Sequence, residues 1–330
     1  MKNERIPVNV GLKTQILPAN DAAVARAARL LKEGGLVAFP TETVYGLGAD
    51  AANGKAVARL YTAKGRPTFN PLIAHVGSHE LARKIGRFSA DADKLARAFW
   101  PGPLTIVLPR QPGALVSDLA LAGLDSVAVR MPAHRVARAL LAAFDGAVVA
   151  PSANQSGHVS PTDAAHVLAD LGGRIDLVLD GGACPVGVES SIVSCLDTPT
   201  LLRPGGLARE EIERVLGHPL VTSSERDDTA PLAPGMLSSH YAPRARVRLD
   251  ALAPEPGEAL LAFGAAPSSS GPVLNLSSRG DLVEAAANLF SHLRTLDASG
   301  AQRIAVMTIP NEGLGEAIND RLARAAAPKV

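Results

Sequence analysis

The sequence predicts an α/β protein with one large domain and one smaller domain. Over residues 1–220, short apolar runs alternate with segments of helical periodicity, a pattern typical of a mixed sheet with helices packed on its faces. Residues 221–245 are polar, rich in proline and without periodicity, so they are predicted to form a linker. Strand-like and helical segments return over 246–330. A chain of 330 residues is also long for one core and suits two domains.

The elements of the large domain follow from apolar periodicity and from residues that start or end helices. Val24, Ala28 and Leu31 share one face of a predicted helix over 21–33. Ser160, followed by proline and by an acidic residue three positions on, is expected to cap a later helix. The other predicted elements are helices over 53–63, 89–100 and 134–144 and strands over 36–39, 72–76, 104–108, 127–130, 147–150, 177–179, 191–195 and 201–203.

The second domain is predicted from elements beyond the linker. They are strands over 247–249, 259–263, 273–276 and 304–308 and helices over 281–297 and 315–325. With about 85 residues, this domain lies near the lower limit for an independent core. The linker at 221–245 is long for a simple connection, and long ordered loops are often lids, so it is also predicted to cover a site.

Composition and charge exclude several classes of protein. Hydrophobic residues make up 47% and charged residues 20%, the balance of a soluble globular protein. A formal net charge of +1 excludes a strongly basic protein coated in nucleic acid. Cys184 and Cys195 are too few for a disulfide scaffold and favour a reducing compartment. Without an apolar run of about 18 residues, no membrane insertion is expected, and the protein is predicted to be cytoplasmic.

Three familiar motifs are matched too poorly to indicate their usual functions. The glycines of Gly46-Leu-Gly48 resemble a dinucleotide-binding fingerprint, but six residues separate them from the preceding strand, so turn glycines are the simpler interpretation. His75 and His79 have the spacing of zinc ligands but lie on different predicted elements. A G-x-S-x-G elbow is absent from the sequence, which disfavours a hydrolase.

Polar segments follow several predicted strands, at the edge where open α/β sheets bind ligands. The segment 39–48, FPTETVYGLG, combines two hydroxyls and a carboxylate with glycines; a tight turn with local Thr bonding is the alternative. The segment 64–75, KGRPTFNPLIAH, places Lys64 and Arg66 two residues apart, which suits a polyphosphate. A solvated basic turn would also explain these two cations.

Two further polar segments complete the pattern. In DSVAVRMP, Arg130 ends an apolar strand and needs an anionic partner if it is buried, either a ligand or a structural salt bridge. In PSANQSGHVSPT, small polar side chains precede the helix expected at Ser160, and a helix N-terminus suits an anion. A capped helix alone would explain Ser160 equally well.

Together these segments resemble the YrdC-type threonylcarbamoyl-AMP synthase family. PTETVYGLG, KGRP with NPL, WPGPLT, VAVRMP, PSAN and GVESSIV occur in the order of that family, and the long form adds LLRPGG at 201–206 and APGMLSSHYAP at 233–243. The resemblance covers about residues 14–245, while the tail resembles a small Rossmann-like domain through weaker motifs. It implies a YrdC-like catalytic domain over 1–220, a linker or lid over 221–245 and a small Rossmann-like C-terminal domain over 246–330.

The resemblance also implies the site residues. The cluster that characterises the catalytic domain corresponds to Lys64, Arg66, Ser152 and Asn154. The residues implied to contact ATP are Arg66, Asn70, Ser126, Ser152, Ser160, Arg203 and Tyr241. The residues implied to hold threonine are Thr43, His75, Arg130, Ala150 through its backbone, and Ser190.

The activity implied is the conversion of L-threonine, bicarbonate or CO2, and ATP into threonylcarbamoyl-AMP and pyrophosphate. Mg²⁺ is expected to be held mainly by the ATP phosphates and not by protein side chains. The product is expected to serve a downstream tRNA threonylcarbamoyltransferase machinery that forms N6-threonylcarbamoyladenosine in tRNAs reading ANN codons, with transient tRNA contact.

Two other interpretations remain open at this point. A non-catalytic RNA-binding module would use a basic concavity, although a net charge of +1 and 3% aromatic residues disfavour it. Another carbamoyl-adenylate enzyme on the same catalytic domain would use carbamoyl phosphate, although the long linker and the small C-terminal domain favour threonine.

Overall fold

Two sheets organise the chain in the computed structural model, which describes residues 12–222 and 241–328. An eleven-stranded mixed sheet contains the described strands between residues 15 and 222, and a four-stranded sheet contains those between 246 and 306. The predicted α/β class, with a large mixed open sheet and a smaller C-terminal sheet, is confirmed. The domain boundaries at 220 and 245 stay a prediction.

The large sheet has the strand order β1-β8-β2-β3-β7-β4-β6-β5-β9-β10-β11. Its strands are β1 (Gln15–Pro18), β2 (Val37–Pro40), β3 (Tyr45–Asp50), β4 (Ile73–His75), β5 (Leu104–Pro109), β6 (Ser126–Arg130), β7 (Val148–Val149), β8 (Leu177–Asp180), β9 (Ser191–Ser194), β10 (Thr200–Arg203) and β11 (Val221–Thr222). β2 and β3 form an antiparallel hairpin, whereas β4 and β6 are parallel neighbours.

Helices cover both faces of this sheet because each buries an apolar stripe. They are α1 (Asp21–Lys32), α2 (Gly54–Lys64), α3 (His79–Ile85), α4 (Ala90–Phe99), α5 (Asp118–Leu121), α6 (Arg135–Phe144), α7 (Ala164–Leu171) and α8 (Arg209–Leu216). On one face, Leu31 of α1 and Leu140 of α6 pack with Phe39. On the other, Leu60 of α2 packs in a cluster with Ile106. The core is therefore aliphatic, as the scarcity of aromatic residues predicts.

The small sheet is wholly parallel and has the order β12-β15-β13-β14. Its strands are β12 (Arg246–Arg248), β13 (Ala259–Ala262), β14 (Val273–Asn275) and β15 (Arg303–Val306), and its helices are α9 (Leu282–Ala298) and α10 (Leu314–Ala326). Leu289 and Phe290 of α9 pack with Ile318 of α10 in its core. The predicted elements of both domains are confirmed to within a few residues, with one exception.

The exception is the helix expected to begin at Ser160. The helix α7 begins at Ala164, and the side chain of Asp163 caps it by accepting a hydrogen bond from the His166 amide at 2.8 Å. Ser160 is instead fully buried and donates to the carboxylate of Glu189. The prediction was wrong because serine and aspartate are both good helix caps. The Ser160 hydroxyl bonds to Glu189, which is distant in sequence, and Asp163 caps the helix instead.

The paired glycines Gly46 and Gly48 lie in strand β3, so their interpretation as turn glycines was also wrong. A Cβ at Gly48 would lie 2.9 Å from the Phe39 ring and 3.0 Å from Val148, so close packing requires glycine there. Glycines are rare inside strands, which hid β3 from the sequence pattern. The elements β1, α3, α5, α8 and β11 were not predicted either.

The part of the chain that the structure describes contains no helix that is long and apolar enough to cross a membrane. Residues 223–240, which make up most of the predicted lid over 221–245, lie outside the described residues.

Candidate active site

A cavity in the large domain collects most of the predicted site residues. It lies where β4 and β6 end, beside the turn after β2 and the segment after β7. The predicted residues that line it are Thr43, Arg66, His75, Arg130, Ala150, Ser152, Ser190, Arg203 and Tyr241. Two larger cavities lie elsewhere in the described chain, and neither is lined by a predicted site residue.

The register of the sheet explains why distant segments meet at this cavity. β4 and β6 run parallel, and His75 is paired with Arg130 at their carboxyl ends, the edge where open α/β sheets bind ligands. The segment after β7 is attached to the sheet, because Ser152 forms a β-bridge with Gly46 of β3. Ser152 is therefore placed by the sheet and not by a free loop.

Thr43 reaches the cavity from a tight turn between β2 and β3. The Thr41 hydroxyl accepts hydrogen bonds from the amides of Thr43 and Val44, both at 3.2 Å, and donates to the Val44 carbonyl at 2.6 Å. The hydroxyls of Thr41 and Thr43 lie 2.8 Å apart in a buried environment. The turn with local Thr bonding is thus present, and it is what places Thr43 in the cavity wall.

Ser190 lines the cavity from the segment before β9. Its hydroxyl lies 2.8 Å from that of Thr105, and Nη2 of Arg203 donates to its carbonyl at 2.8 Å and to its hydroxyl at 3.3 Å. Gly205 packs so closely behind this segment that a Cβ would lie 2.4 Å from the Ser191 nitrogen. The GVESS and LLRPGG motifs therefore form one wall, and only glycine fits between them.

Arg130 is paired with a carboxylate that the site prediction did not include. Its Nη2 donates to Oε1 of Glu42 at 2.6 Å, and both side chains are buried. Glu42 also accepts from the amides of Ala133 and His134 at 2.9 and 3.3 Å. Burial raises the pKa of Glu42, but the Arg130 charge and the hydrogen bonds outweigh it, so this pKa lies below its ordinary value. The salt-bridge alternative is present, although Arg130 also lines the cavity.

His75 is uncharged in the folded protein at neutral pH. Burial, and next the nearby charge of Arg130, lower the pKa of His75 to about 3. Its Nδ1 lies 3.2 Å from the Ile73 carbonyl oxygen, and its ring packs edge-on against Phe39 with centroids 6.4 Å apart. His75 therefore contributes a neutral polar surface to the cavity beside the Arg130–Glu42 pair.

Because His75 protonates at about 3 in the fold but near 6.5 in an unfolded chain, acid should destabilise the protein through this group. Below pH 6.5 the unfolded chain binds a proton that the native state excludes, so the free energy of unfolding falls by up to about 1.4 kcal/mol per pH unit. Between pH 6.5 and 5, the free energy of unfolding of the His75→Gln variant should therefore fall by about 2 kcal/mol less than that of the wild type. Urea denaturation at the two pH values measures this difference.

The control for this prediction is His218→Gln, because the His218 side chain is 41% exposed. This variant should still lose stability in acid, because His75 is unchanged. An unchanged pH dependence in His75→Gln would contradict the neutral state assigned to His75.

Arg66 is a buried cation in the cavity wall. Its Nε and Nη2 donate to the carbonyls of Asn70 and Pro71 at 3.3 and 3.1 Å. Burial lowers the pKa of Arg66 to about 10, so the guanidinium still carries its charge at neutral pH. Within residues 12–222 and 241–328, Arg66 forms no ion pair. A buried cation without a carboxylate partner is costly, so this site is suited to an anionic ligand.

Lys64 is buried as well, but it does not line the cavity. Its ammonium donates to the carbonyls of Ser152 and Asn154, both at 2.5 Å. Burial, and next the Arg66 charge, lower the pKa of Lys64 well below its ordinary value. The solvated-turn alternative for Lys64 and Arg66 is wrong, because both side chains are inside the protein. Lys64 thus contacts the segment that carries Ser152, a residue of the cavity wall.

Glu189 is a second carboxylate that the site prediction omitted. It lines the cavity, its Oε1 accepts from the Ser160 hydroxyl, and its Oε2 accepts from Arg321 of α10 at 2.8 Å. Burial raises the pKa of Glu189, but the charges of Arg321 and Arg203 outweigh burial, so this pKa is lowered overall. The GVESS motif contained the signal for this residue, since a glutamate within an otherwise small-residue motif is unusual.

Tyr241, which lies within the predicted linker, lines the cavity and is the first described residue after 223–240. It is buried, its ring stacks on Phe290 with centroids 5.6 Å apart, and its φ of 61° lies in the left-handed region. Non-glycine residues adopt this backbone region at a cost, and such strain is concentrated at functional sites. Phe290 of the small domain thus packs against a residue of the cavity wall.

The remaining predicted residues do not line the cavity. The Asn154 side chain donates to the carbonyls of Gln155 and His158 and accepts from Ser152, so it shapes its own segment. Asn70 is buried, and its side-chain oxygen has no hydrogen-bond partner among the described residues. Ser126 begins β6, four residues before its carboxyl end, which places it about 13 Å from the end of that strand at ~3.3 Å per residue.

The described residues contain no group of three or more His, Cys, Asp or Glu side chains that could hold a metal ion. The carboxylates nearest the cavity, Glu42 and Glu189, are already bonded to arginines. That Mg²⁺ is held mainly by the ATP phosphates stays a prediction.

Buried cations, small hydroxyls and a histidine meet at the carboxyl edge of an open α/β sheet, which defines a binding protein or enzyme for anionic ligands. A family model described as "Telomere recombination", for Sua5, YciO and YrdC, matches residues 29–205. A second, described as "Threonylcarbamoyl-AMP synthase, C-terminal domain", matches residues 207–327. The chain belongs to the Sua5/YciO/YrdC family, in its form with a Sua5 C-terminal domain.

Relatives of similar length support this assignment. The threonylcarbamoyl-AMP synthase of Bacillus subtilis is 42% identical, and the alignment covers 100% of this chain and 99% of that protein. That of Pyrococcus abyssi is 43% identical over 92% of this chain and 94% of its own length. The crystal structure of P. abyssi Sua5 complexed with L-threonine matches with a TM-score of 0.86 over 96% of this chain and 97% of that one, at 39% identity.

Proposed function

We propose that this chain converts L-threonine, bicarbonate and ATP into threonylcarbamoyl-AMP and pyrophosphate. The full-length relatives named threonylcarbamoyl-AMP synthase and the relative solved with L-threonine support this function. The observation that carries it within the chain is one cavity lined by Thr43, Ser190 and Arg130 and also by Arg66 and Arg203. The first three suit a hydroxy amino acid, and the last two suit a polyphosphate.

Arg130 is the proposed partner of the substrate carboxylate, because it is charged, lines the cavity and is held in place by Glu42. The hydroxyls of Thr43 and Ser190 are proposed to recognise the hydroxyl of threonine. A site built to bond a hydroxyl leaves polar groups unpaired when the hydroxyl is missing, so valine should be rejected strongly. His75 and the Ala150 backbone are proposed to complete this half of the cavity.

The proposed reaction joins two anions. Bicarbonate first takes up a proton and loses water to give CO2. The neutral amine of threonine attacks this CO2 and loses a proton to give a carbamate, whose oxygen attacks the α-phosphorus of ATP as the bond to the pyrophosphate oxygen breaks. Repulsion between carbamate and triphosphate must be screened before this approach. Arg66 and Arg203 are proposed to supply that charge, and each charge-assisted hydrogen bond contributes about 1.5–3 kcal/mol.

The other predicted residues are proposed to contact ATP or to support the residues that do. Asn70, Ser126, Ser152, Ser160 and Tyr241 are proposed to contact ATP. The side-chain oxygen of Asn70, which has no hydrogen-bond partner among the described residues, is one available acceptor. Lys64 and Asn154 are proposed to hold the segment that carries Ser152. Mg²⁺ is proposed to enter with ATP on the phosphate oxygens and to neutralise part of their charge.

The product is proposed to serve a tRNA threonylcarbamoyltransferase machinery in the cytoplasm, which forms N6-threonylcarbamoyladenosine in tRNAs that read ANN codons. Contact with tRNA is proposed to be transient. Because a carbamate decomposes in bulk water, covering the nucleotide side near Tyr241 would protect the intermediate.

Pyrophosphate release tests this function. The full chain is assayed with ATP, Mg²⁺, threonine and bicarbonate, and each component is omitted in turn. Release should require all four, valine should not replace threonine, and threonylcarbamoyl-AMP should be detected by mass spectrometry. Turnover with carbamoyl phosphate in place of bicarbonate and threonine would indicate a different carbamoyl-adenylate enzyme. Salt-sensitive RNA binding without threonine-dependent turnover would indicate an RNA-binding module.

A further inference from the structure

Arg321 is a guanidinium of the small domain buried beside the active-site cavity. It lies on α10, is fully buried and heads the set of largest fully buried side chains in the described protein. Burying an arginine costs several kcal/mol unless anions and hydrogen bonds compensate it. The partners of Arg321 therefore indicate why it is there.

Two of these partners belong to the cavity. Nε of Arg321 donates to Oε2 of Glu189 at 2.8 Å, and its Cζ lies 5.2 Å from the centroid of the Tyr241 ring, within cation–π distance. Glu189 and Tyr241 both line the cavity. On its other side, Nη1 donates to Asp320 at 2.7 Å. One side chain of the small domain thus contacts two residues of the cavity wall at once.

The charge balance around Glu189 depends on this contact. Burial raises the pKa of Glu189, and the charge of Arg321 is the largest of the effects that lower it. Glu189 in turn receives the hydroxyl of Ser160, which we assign to ATP. Without Arg321, a poorly compensated carboxylate would face a cavity that is proposed to bind a triphosphate. Such a carboxylate would repel the phosphates. The ring of Tyr241 would also lose its contact with the guanidinium.

We propose that Arg321 is a positioning residue of the active site. By holding the Glu189 carboxylate and the Tyr241 ring together, it makes the small domain part of the ATP-binding half of the cavity. This inference rests on the proposed function, because that function assigns Ser160 and Tyr241 to ATP. It gives the C-terminal domain a role in nucleotide binding that neither its fold nor its position in the chain implies.

Simple docking of the two domains is the competing explanation, and the structure offers a control for it. Arg209 of α8 forms an ion pair with Glu316 of α10, on the same helix as Arg321. Neither residue of this pair lines the active-site cavity. If Arg321 only joined the domains, removing Arg209 would have a comparable effect. If Arg321 positions cavity residues, the two variants will differ.

The experiment compares Arg321→Met and Arg209→Met in the full chain, measuring pyrophosphate release while ATP and threonine are varied separately. Arg321→Met should lower kcat/KM for ATP roughly 10- to 100-fold, the effect of losing one charge-assisted contact. It should leave the KM for threonine near the wild-type value. Arg209→Met should match the wild type in both parameters.

A second substitution tests the charge argument. Adding Glu189→Gln to Arg321→Met removes the uncompensated carboxylate and should recover part of the ATP effect, because the two residues form one network. Should Arg321→Met fail to fold, Arg321→Lys replaces it, since lysine keeps the charge but not the planar guanidinium, and a smaller ATP effect is then expected.

The outcomes separate this inference from the proposed function. If the wild type is active, two results would overturn the positioning role. One is an unchanged kcat/KM for ATP in Arg321→Met, and the other is an equal loss of kcat/KM for ATP in Arg209→Met. Absence of wild-type pyrophosphate release would instead refute the proposed function. In that case, calorimetric binding of a non-hydrolysable ATP analogue decides the inference: weaker binding by Arg321→Met alone supports it, and equal binding by all three proteins overturns it.

Discussion

The Arg130→Met variant should lose threonine-dependent pyrophosphate release and unfold at a lower urea concentration than the wild type. Removing Arg130 takes away the proposed partner of the substrate carboxylate and leaves Glu42 buried without its cation. Breaking a buried ion pair by removing one partner costs about 3–5 kcal/mol. Arg138→Met, an exposed arginine of α6, is the matched control and should change neither property.

The double variant Arg130→Met/Glu42→Gln separates the two roles of Arg130. It should regain much of the lost stability, because no unpaired carboxylate remains in the interior. It should stay inactive, because threonine still lacks its cationic partner. Recovery of the wild-type KM for threonine in the double variant would show that Arg130 serves the fold alone.

The Lys64→Met variant should be destabilised and should bind ATP less well, although the side chain does not line the cavity. The carbonyls of Ser152 and Asn154 lose their shared donor, and each unsatisfied buried acceptor costs about 1–3 kcal/mol. Relief from burying an ammonium offsets part of this, so a net loss of about 2–3 kcal/mol is expected, with at least a tenfold lower kcat/KM for ATP.

Lys55→Met is the control for Lys64→Met, because Lys55 lies on the same helix α2 and is exposed. Thermal unfolding and steady-state kinetics of the two variants are compared. Wild-type stability in Lys64→Met would contradict the role assigned to its two carbonyl contacts. A loss of ATP affinity without any loss of stability would show that the ammonium itself meets the phosphates.

Periodicity was sufficient to predict most helices and strands of both domains, because each carries its apolar stripe in the local sequence. It missed β3, where Gly46 and Gly48 stand in place of strand-forming residues. Ala150 lies 3.2 Å from where a Cβ of Gly46 would be, and Phe39 and Val148 occupy the space of a side chain at Gly48. It also misplaced the start of α7. Local patterns do not contain the information that Ser160 bonds to Glu189, a residue 29 positions further on.

The site shows the same limit. The polar segments at strand ends predicted where Thr43, Arg66 and Arg130 gather, since strand ends of one sheet share an edge. Two carboxylates at the site were not assigned, because ion pairing depends on three-dimensional neighbours. They are Glu42, which pairs with Arg130, and Glu189, which pairs with Arg321. The KGR motif likewise did not predict that the side chain of Lys64 is buried.

The β-bridge between Gly46 and Ser152 bears on the thermodynamics of substrate capture. Since that wall of the cavity is fastened to the sheet, its backbone loses conformational freedom when the chain folds, and a substrate need not meet this entropic penalty on arrival. Association can then draw on contacts with the serine hydroxyl without first ordering the segment that carries it. The hydrogen-bonded ladder of the sheet thereby serves affinity as well as architecture.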